Sequence, residues 1–270
     1  MNLVQFLMFL IVFIYLLWPY LWGDPITRFG ESFANMSRFR WGGEVLMHGQ
    51  YFFATDLPWY YALLWMSVTI PVYYILLFSI GAFFVFWQIL KSPLRLWTSE
   101  NQMIDLVLLA LVVGPIASVI VLKSVLYDGW RQLYFVYPPL LLVSGIGVEK
   151  LYITLGKFWV KRQWLFFLPL VFTAVWMIAA HPYQNVYFNV FAGKNYYNHW
   201  DLDYWGLSNR EALERILAAD DRNEISVDTL SWTPLNLSLY MLQSPERMVL
   251  QPKEEMPEYL ITNFRNVKGN

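Results

Sequence analysis

Long uninterrupted runs of apolar residues occupy the first two thirds of the chain, and the last third lacks them. A membrane-spanning helix needs ~20 apolar residues, because a helix rises about 1.5 Å per residue across a hydrocarbon core of about 30 Å. Strands are not expected there, since an open strand leaves backbone groups without hydrogen-bond partners in lipid. The pattern therefore predicts an α-helical polytopic membrane protein with about five transmembrane helices, at residues 3–22, 62–87, 104–122, 133–153 and 164–180.

The residues after the fifth span have the pattern of a small water-facing domain of helix and strand. Ser208 followed by Glu211 has the spacing of a capping box, and the apolar residues behind it predict an amphipathic helix over 208–219. A second helix is predicted over about residues 234–243. Three short apolar segments predict strands at residues 224–229, 247–250 and 258–262.

Composition supports a membrane protein and excludes several other classes. Hydrophobic residues make up 57% of the chain and charged residues 14%, against roughly 25% charged residues in soluble domains. We therefore divide the chain into a transmembrane region, residues 1–180, and a small α/β extracytoplasmic domain, residues 181–270. A net charge of −1 gives no indication of nucleic-acid binding, and the absence of cysteine excludes a disulfide framework.

The short loops between the spans set the expected orientation. Residues 91–103 and 150–163 together carry six Lys and Arg, whereas residues 123–132 carry two. Because positively charged loops stay in the cytoplasm, the first two loops are predicted to lie inside. The N-terminus is then inside, and loop 23–61, turn 123–132 and the C-terminal domain are outside. We expect an integral protein of the plasma membrane, such as a bacterial inner membrane.

The first outer loop carries more structure than a linker. Apolar residues from Phe29 to Met47 recur at three-to-four spacing, which predicts a helix lying in the membrane interface. Irregular backbone is expected over residues 48–56. Trp59, Tyr60 and Tyr61 then precede the second span, and two interpretations are open: an aromatic belt that anchors a helix end, or aromatic faces that bind a sugar ring.

The turn before the fourth span carries a pair of opposite charges. Asp128-Gly129 is a turn signal, and Pro138-Pro139 inside the apolar run predicts a kink. Asp128 and Arg131 are close enough in sequence to pair. The pair is either an exposed interfacial ion pair or part of an anion-binding site.

Motifs of soluble enzymes do not occur in the chain. There is no Gly-rich phosphate loop, no GxSxG elbow and no paired His motif for a metal. The three histidines, His48, His181 and His199, are too dispersed in sequence to predict a metal site. We expect no cofactor, and the pattern leaves assistance by a divalent cation open.

Several segments, in order, resemble the C-terminal half of GT-C type membrane glycosyltransferases. They are LPWYY at 57–61, YDGWRQLYFVYPPLLL at 127–142, HPYQNVYFN at 181–189 and DYWGLSNREAL at 203–213. The most similar type is the family 39-like group, which uses polyprenyl-phosphate sugars and is related to protein O-mannosyltransferases and aminoarabinose transferases. The resemblance covers most of residues 18–213.

This resemblance implies transfer of a sugar from a polyprenyl-phosphate donor, on the outer face, to a lipid, glycan or protein acceptor. In such enzymes an acidic residue of the first outer loop acts as the base, and a single displacement inverts the sugar. The first loop of this chain matches a later loop of the family, so the acidic motif is expected in an upstream membrane half. Asp24 and Asp56 are the candidate bases within the chain, although Asp24 also fits a helix-end turn.

Physical considerations give roles to the other candidate residues. Arg131 at the outer mouth of a spanning helix suits bidentate hydrogen bonds to a lipid phosphate. Aromatic and imidazole side chains suit a sugar ring, and the Asp56 carboxylate suits a sugar hydroxyl. The candidates for binding substrate or lipid carrier are His48, Trp59, Tyr60, Tyr61, Asp128, Arg131 and His181.

The first apolar run resembles an internal helix more than a first one. No Lys or Arg precedes it, and it is longer than the 7–15 apolar residues of a signal peptide. We therefore expect the C-terminal portion of a larger protein, with little or no transferase activity by itself. The alternative function is a non-catalytic membrane scaffold whose outer domain binds a partner. A transporter is disfavoured because the spans lack ionisable residues that would line a pathway.

Overall fold

The computed structural model describes residues 3–37, 41–91, 95–156, 164, 167–250 and 256–265. Helix predominates, and the described residues also form two small sheets. Two compact units are present, Met1–Trp41 and Gly42–Asn270. The boundary expected after residue 180 stays a prediction.

In the N-terminal unit, the first apolar helix is shorter than predicted. Helix α1 spans Leu3–Leu17, and a 3-10 turn follows at Pro19–Trp22. Pro19 has no N–H for a helical hydrogen bond, and it disfavours the helical conformation at Trp18, whose φ is −119° and ψ 85°. The run predicted as a span over 3–22 is therefore a helix of 15 residues.

Helix α2, Pro25–Ser37, completes this unit. The Thr27 N–H donates to Asp24 Oδ1 at 3.2 Å, so the Asp24 carboxylate satisfies one of the open donors at the helix start. Phe29 and Phe33 lie four residues apart and are exposed. The helix predicted from Phe29 onward is thus confirmed over 29–37 with an earlier start, and its location in the membrane interface stays a prediction.

The second unit begins with a β-hairpin. Strand β1, Glu44–Met47, pairs antiparallel with strand β2, Gln50–Phe53. His48 and Gly49 connect the strands with φ of 53° and 79°, the two positive values that a tight hairpin turn requires.

The hairpin corrects two expectations about the outer loop. The helix predicted up to Met47 is wrong over residues 44–47, and the irregular backbone predicted over 48–56 is wrong for strand β2. Both errors have the same cause, which is that distant residues hold the first strand. The Leu46 N–H donates to Asp201 Oδ2 at 2.9 Å, and Met47 forms an isolated bridge with Trp200. Local periodicity does not reveal such partners.

The predicted second span is broken into two helices. Helix α3 spans Tyr61–Thr69 and α4 spans Val72–Lys91. Pro71 causes the break, because the residue before a proline favours extended backbone, and Ile70 has φ −94° and ψ 135°. A continuous span over 62–87 is therefore wrong.

Asn189 satisfies the carbonyls that the break leaves open. Its Nδ2 donates to the carbonyls of Ser67 and Ile70 at 2.7 and 2.6 Å, and its backbone N–H donates to that of Val68 at 2.8 Å. A distant loop thus closes the end of helix α3.

Three helical segments are long and apolar enough to cross a membrane: Val72–Lys91, Glu100–Val121 and Arg131–Leu155. The second is helix α5, and the third joins a 3-10 turn, Arg131–Val136, to helix α6, Tyr137–Leu155. These helices confirm the helical segments predicted over 104–122 and 133–153. Helix α7, Leu168–Ala179, has 12 residues and is shorter than the fifth predicted span, residues 164–180. Residues 165–166 of that span lie outside the described residues.

The proline pair lies at the start of a helix and not inside one. Pro138 and Pro139 are in the first turn of α6, directly after the 3-10 turn. The first N–H groups of a helix have no partner within it, so proline costs nothing there. The kink predicted at these residues stays a prediction.

Helices α4 and α6 are in close contact through two glycines. A Cβ added to Gly81 would lie 2.1 Å from the Val143 carbonyl oxygen, and one added to Gly147 would lie 2.1 Å from that of Leu77. Small residues let membrane helices approach to this extent.

The C-terminal part is built as a parallel sheet with helices. Strand β3 lies between β4 and β5 and is parallel to both. The elements are α8, Ser208–Ala219; β3, Ile225–Thr229; α9, Leu235–Leu239; β4, Met248–Leu250; and β5, Tyr259–Ile261. Further 3-10 turns lie at Gln184–Val186, Val190–Ala192, Tyr196–Asn198 and Pro245–Arg247.

Most of the predicted elements of this part are confirmed. The strands lie within one residue of their predicted bounds, but helix α9 ends four residues earlier than predicted. Buried apolar side chains from helices and strands form the core: Leu213, Ile225, Val227, Leu235, Leu242, Met248 and Ile261.

The predicted capping box at the start of helix α8 is wrong. Asp203 occupies that role: its two carboxylate oxygens accept from the backbone N–H groups of Leu207 and Ser208 at 3.0 and 2.8 Å. Glu211 instead accepts from the Tyr183 hydroxyl.

The glycine contact predicts a sharp difference between alanine substitutions at two positions of helix α6 that are two residues apart. Gly147→Ala should lower the melting temperature in detergent, because its Cβ meets a backbone carbonyl and overpacking costs about 1–3 kcal/mol. Gly145→Ala in the same helix is the control, since nothing lies within 4 Å of its added Cβ. Equal melting temperatures for the two variants would contradict the close packing of α4 and α6.

Candidate functional site

A cavity of about 440 Å³ lies beside the break between α3 and α4. This volume is within the range of about 300–1,000 Å³ typical of ligand pockets. The walls come from the ends of α3, α6 and α7, from the turn at 128–130 and from the loop at 184–188. The aromatic side chains that line it are Trp65, Trp130, Tyr134, Tyr137, Trp176, Tyr187, Phe188 and Tyr204.

Backbone features in two segments make room for the cavity. Ile70 and Pro71, at the helix break, are part of its wall. On another side of the cavity, Asp128 and Gly129 have positive φ values of 55° and 74° and form a sharp turn. A Cβ on Gly129 would lie 3.4 Å from the Trp65 ring, so the turn fits closely against the indole.

Asp128 is buried and paired with two arginines. Arg131 Nη2 lies 3.1 Å from Asp128 Oδ2, and Arg265 Nη2 forms an ion pair with Asp128 Oδ1. Only 3% of the Asp128 side chain is exposed, so the interpretation as an exposed interfacial ion pair is wrong. Burial raises the pKa of the Asp128 carboxyl, and the two arginines act against that effect.

Arg131 is held by aromatic rings as well as by the carboxylate. Its guanidinium lies 4.5 Å from the centroid of Tyr127, 5.7 Å from that of Tyr204 and 5.9 Å from that of Trp205. A guanidinium over an aromatic face is attracted by the ring. The side chain keeps 23% of its surface exposed, so one edge remains accessible.

Asp201 is the second carboxylate of the cavity. It is 2% exposed, and its Oδ2 accepts the Leu46 N–H described above. Burial raises the pKa of Asp201 to about 6, against the lowering effects of the Leu46 hydrogen bond and Arg265. A carboxyl that titrates near neutral pH can take up or release a proton under physiological conditions.

Three side chains of the cavity carry buried polar atoms that have no hydrogen-bond partner among the described residues. They are Asp201 through Oδ1, Trp65 through Nε1, and Asn185 through both Oδ1 and Nδ2. Buried polar groups are nearly always hydrogen-bonded, because an unpaired group costs its full desolvation. These atoms have almost no accessible surface, so they lie within the wall of the cavity and not at its surface.

Several predicted site residues lie away from this cavity. Trp59 and Tyr60 are exposed and pack edge to face, whereas Tyr61 is only 2% exposed and presents no ring face to solvent. Asp56, Trp59 and Tyr61 line a smaller hollow of about 150 Å³ together with Lys123.

The histidines are also placed apart from the cavity. His48 lies in the hairpin turn, and its ring centroid is 6.1 Å from that of His199. His181 is exposed and its Nδ1 lies 3.0 Å from Gln184 Nε2. Within the described ranges, no three His, Asp or Glu side chains are grouped to hold a metal ion.

Asp24 belongs to the N-terminal unit and acts there as a helix cap. The hydrogen bonds from Thr27 hold the pKa of its carboxyl below the usual value. This observation agrees with the helix-end interpretation of Asp24, and its candidacy as a base stays a prediction.

The sequence left three important residues of the site unassigned. Asp201 stands in the polar aromatic run before DYWG, and an acidic residue in such a run was a usable signal. Asn185 lies within HPYQNVYFN but has no property that marks it. Arg265 is 137 positions from Asp128, and only tertiary structure reveals that pair.

Comparison with protein-family models, curated proteins and solved structures gives no match for this chain.

The burial of Asp201 predicts how stability depends on pH. A carboxyl pKa of about 6 in the folded chain against about 3.9 unfolded means that the folded state binds the proton more tightly. The free energy of unfolding should therefore fall by about 3 kcal/mol as pH rises from about 4 to 6. Asp201→Asn removes this loss and keeps an oxygen for the Leu46 N–H.

Melting temperatures in detergent at several pH values test this expectation. Asp201→Asn should melt above the unsubstituted chain at pH 7.5, and the gap should shrink towards pH 5. Asp221→Asn, at an exposed aspartate of the C-terminal part, is the matched control and should not change the melting temperature at any of these pH values. A constant gap across this range would show that Asp201 does not titrate there.

Proposed function

We propose that this chain is an integral membrane glycosyltransferase, or the C-terminal portion of one. It transfers a sugar from a polyprenyl-phosphate-linked donor to an extracytoplasmic acceptor. The observation that carries the proposal is the cavity itself, in which a buried carboxyl with a pKa near neutrality lies among eight aromatic side chains. The resemblance of four ordered segments to GT-C type enzymes gives the reaction class.

The proposed location is the plasma membrane, with the cavity on its outer side. Three long apolar helices support it, and only 11–22% of their most apolar windows is buried within the chain. Exposed apolar area on this scale suits lipid contact. We propose that helices α1 and α7 complete five spans, with the N-terminus inside and residues 181–270 outside, as the Lys and Arg distribution indicates.

In the proposed reaction Asp201 is the general base. The Asp201 carboxylate takes the proton of an acceptor hydroxyl, and the acceptor oxygen forms a bond to the anomeric carbon of the donor sugar. The bond from that carbon to the phosphate oxygen breaks, and its electron pair leaves with the polyprenyl phosphate. General-base assistance of this kind typically contributes about 10²–10⁴ in rate.

Arg131 is the proposed contact for the donor phosphate. The Arg131 side chain keeps part of its surface exposed, and an arginine offers several N–H donors in a planar fork. The Asp128 carboxylate holds the guanidinium in place, and the rings of Tyr127 and Tyr204 flank it.

One observation favours the alternative, a non-catalytic membrane scaffold. Arg131 and Arg265 both pair with Asp128, so each of these charges already has a partner within the chain. Such a cluster also serves to hold the C-terminal part against the helices, without any donor phosphate.

The proposal is tested in membranes of cells that contain the full chain, so that any partner is present. Radiolabelled sugar should pass from a polyprenyl-phosphate donor to an extracytoplasmic acceptor, and Asp201→Asn should reduce the rate at least about 100-fold. Asp221→Asn is the matched control and should keep the activity, because that carboxylate is exposed and outside the cavity.

One further measurement accompanies that assay. An impermeant maleimide should label a cysteine placed at Asn223 in intact cells, which fixes the outward side. Full transfer by membranes that lack the chain, or by membranes with Asp201→Asn, would contradict the enzymatic proposal and favour the scaffold.

A further inference from the structure

The smaller hollow, of about 150 Å³, lies between the start of helix α3 and the end of helix α5. Its lining includes two residues of opposite charge, Asp56 and Lys123. Both are exposed, and within the described part of the chain neither side chain has an ion pair or a hydrogen bond. A carboxylate and an ammonium thus line one accessible hollow without pairing with each other.

The proposed membrane location places this hollow at the outer interface. Lys123 comes two residues after the end of α5, which is long and apolar enough to cross a membrane. Val121 and Leu122, directly before it, are exposed apolar residues. Trp59, which lines the hollow, is exposed as well, and tryptophan is enriched where a membrane meets water. Apolar surface that suits lipid chains therefore adjoins the two charges.

A molecule that satisfies both charges must itself carry a charge of each sign. The Asp56 carboxylate accepts hydrogen bonds and attracts a cation, whereas the Lys123 ammonium donates them and attracts an anion. The headgroup of an amine-bearing phospholipid combines a phosphate with a primary ammonium on a short linker. Thr55 and Ser124 also line the hollow, and their hydroxyls suit the phosphate oxygens.

The size and the charges of the hollow argue against other ligands. Pockets for whole small molecules typically have about 300–1,000 Å³, so a hollow of about 150 Å³ suits a headgroup better than a sugar with its lipid phosphate. A phosphate alone would leave the Asp56 carboxylate beside a second negative charge. A trimethylated ammonium has no N–H to donate to that carboxylate.

We propose that this hollow binds the headgroup of an amine-bearing glycerophospholipid of the outer leaflet. Lys123 holds the phosphate, and Asp56 accepts hydrogen bonds from the primary ammonium. The Trp59 ring packs at the level of the headgroups, and the acyl chains contact the exposed apolar side chains at the end of α5. This inference goes beyond the proposed transfer reaction and rests only on the proposed membrane location.

Native mass spectrometry of the full chain in detergent tests the site with three lipids that have the same acyl chains. Phosphatidylethanolamine carries the primary ammonium, phosphatidylcholine carries a trimethylated ammonium, and phosphatidylglycerol has no cation. At equal concentrations, phosphatidylethanolamine should occupy the chain in preference to the other two lipids. Glycerophosphoethanolamine, which has the same headgroup without acyl chains, should bind far more weakly.

Variants assign this preference to the hollow. Asp56→Asn should weaken phosphatidylethanolamine binding about tenfold or more, because a charge-assisted hydrogen bond is lost, and should not weaken phosphatidylglycerol binding. Asp56→Glu keeps the carboxylate and should keep the preference. Lys123→Gln should weaken phosphatidylethanolamine binding to a similar extent. Asp221→Asn and Lys194→Gln are the matched controls, since both side chains are exposed and outside the hollow.

The outcomes separate this site from the proposed enzyme. Equal occupancy by the three lipids, or an unchanged preference in Asp56→Asn, overturns the headgroup site. Glycerophosphoethanolamine that binds as tightly as the lipid also overturns it and indicates a soluble zwitterion instead. A preference that Asp56→Asn and Lys123→Gln remove and the controls keep supports the site, whether or not the chain transfers sugar.

Discussion

The buried carboxylate of Asp128 is the constraint on which the C-terminal part of the second unit depends. It joins the turn before helix α6 to Arg265, which follows the last strand of the sheet. Leaving one charge of a buried pair without its partner costs about 3–5 kcal/mol, so neither partner is easily removed. Arg265 also donates to the Tyr204 carbonyl and lies over the Trp232 ring at 4.7 Å, which ties the segment after strand β5 to the same surface.

The same surface carries the wall of the cavity. Asn263 Nδ2 donates to the Asp203 carbonyl at 2.7 Å, and Asp203 in turn caps helix α8. Tyr204, the next residue, lines the cavity, and its hydroxyl oxygen lies 3.4 Å from the hydroxyl oxygen of Tyr134. The segment after the parallel sheet, the start of the capped helix and the turn before helix α6 are thus linked to one another beside the cavity. Elements from distant parts of the chain therefore define its wall.

Sequence patterns predicted the elements whose formation depends on local residues. The long helices over 104–122 and 133–153 follow from uninterrupted apolar runs, and helix 208–219 and three short strands follow from local patterns. The parallel direction of the strands was not predicted. Patterns failed where distant partners decide the conformation. The hairpin at 44–53 needs Asp201 and Trp200 as partners. The helix break at Pro71 was missed because the residues on both sides of it form one apolar run.

The candidate site was predictable only in part, for the same physical reason. Asp128 and Arg131 are three residues apart, so their pairing was visible in the sequence, whereas Arg265 was not. The aromatic cluster at 59–61 divides between surface and core, because consecutive residues at a helix start point in different directions. Hydrogen-bonding atoms left without partners, such as those of Asn185, are a property of packing and have no signal in the sequence.

A double-mutant cycle on Asp128 and Arg265 tests most directly whether their ion pair holds the C-terminal part against the turn before helix α6. Stability in one detergent is compared for Asp128→Asn, Arg265→Met, the double variant and the unsubstituted chain, and the cycle cancels the other contacts of Arg265. The account predicts a coupling of about 1–3 kcal/mol, with the double variant more stable than the sum of the single losses implies. Additive effects within about 0.5 kcal/mol would contradict it, since independent sites add to that extent.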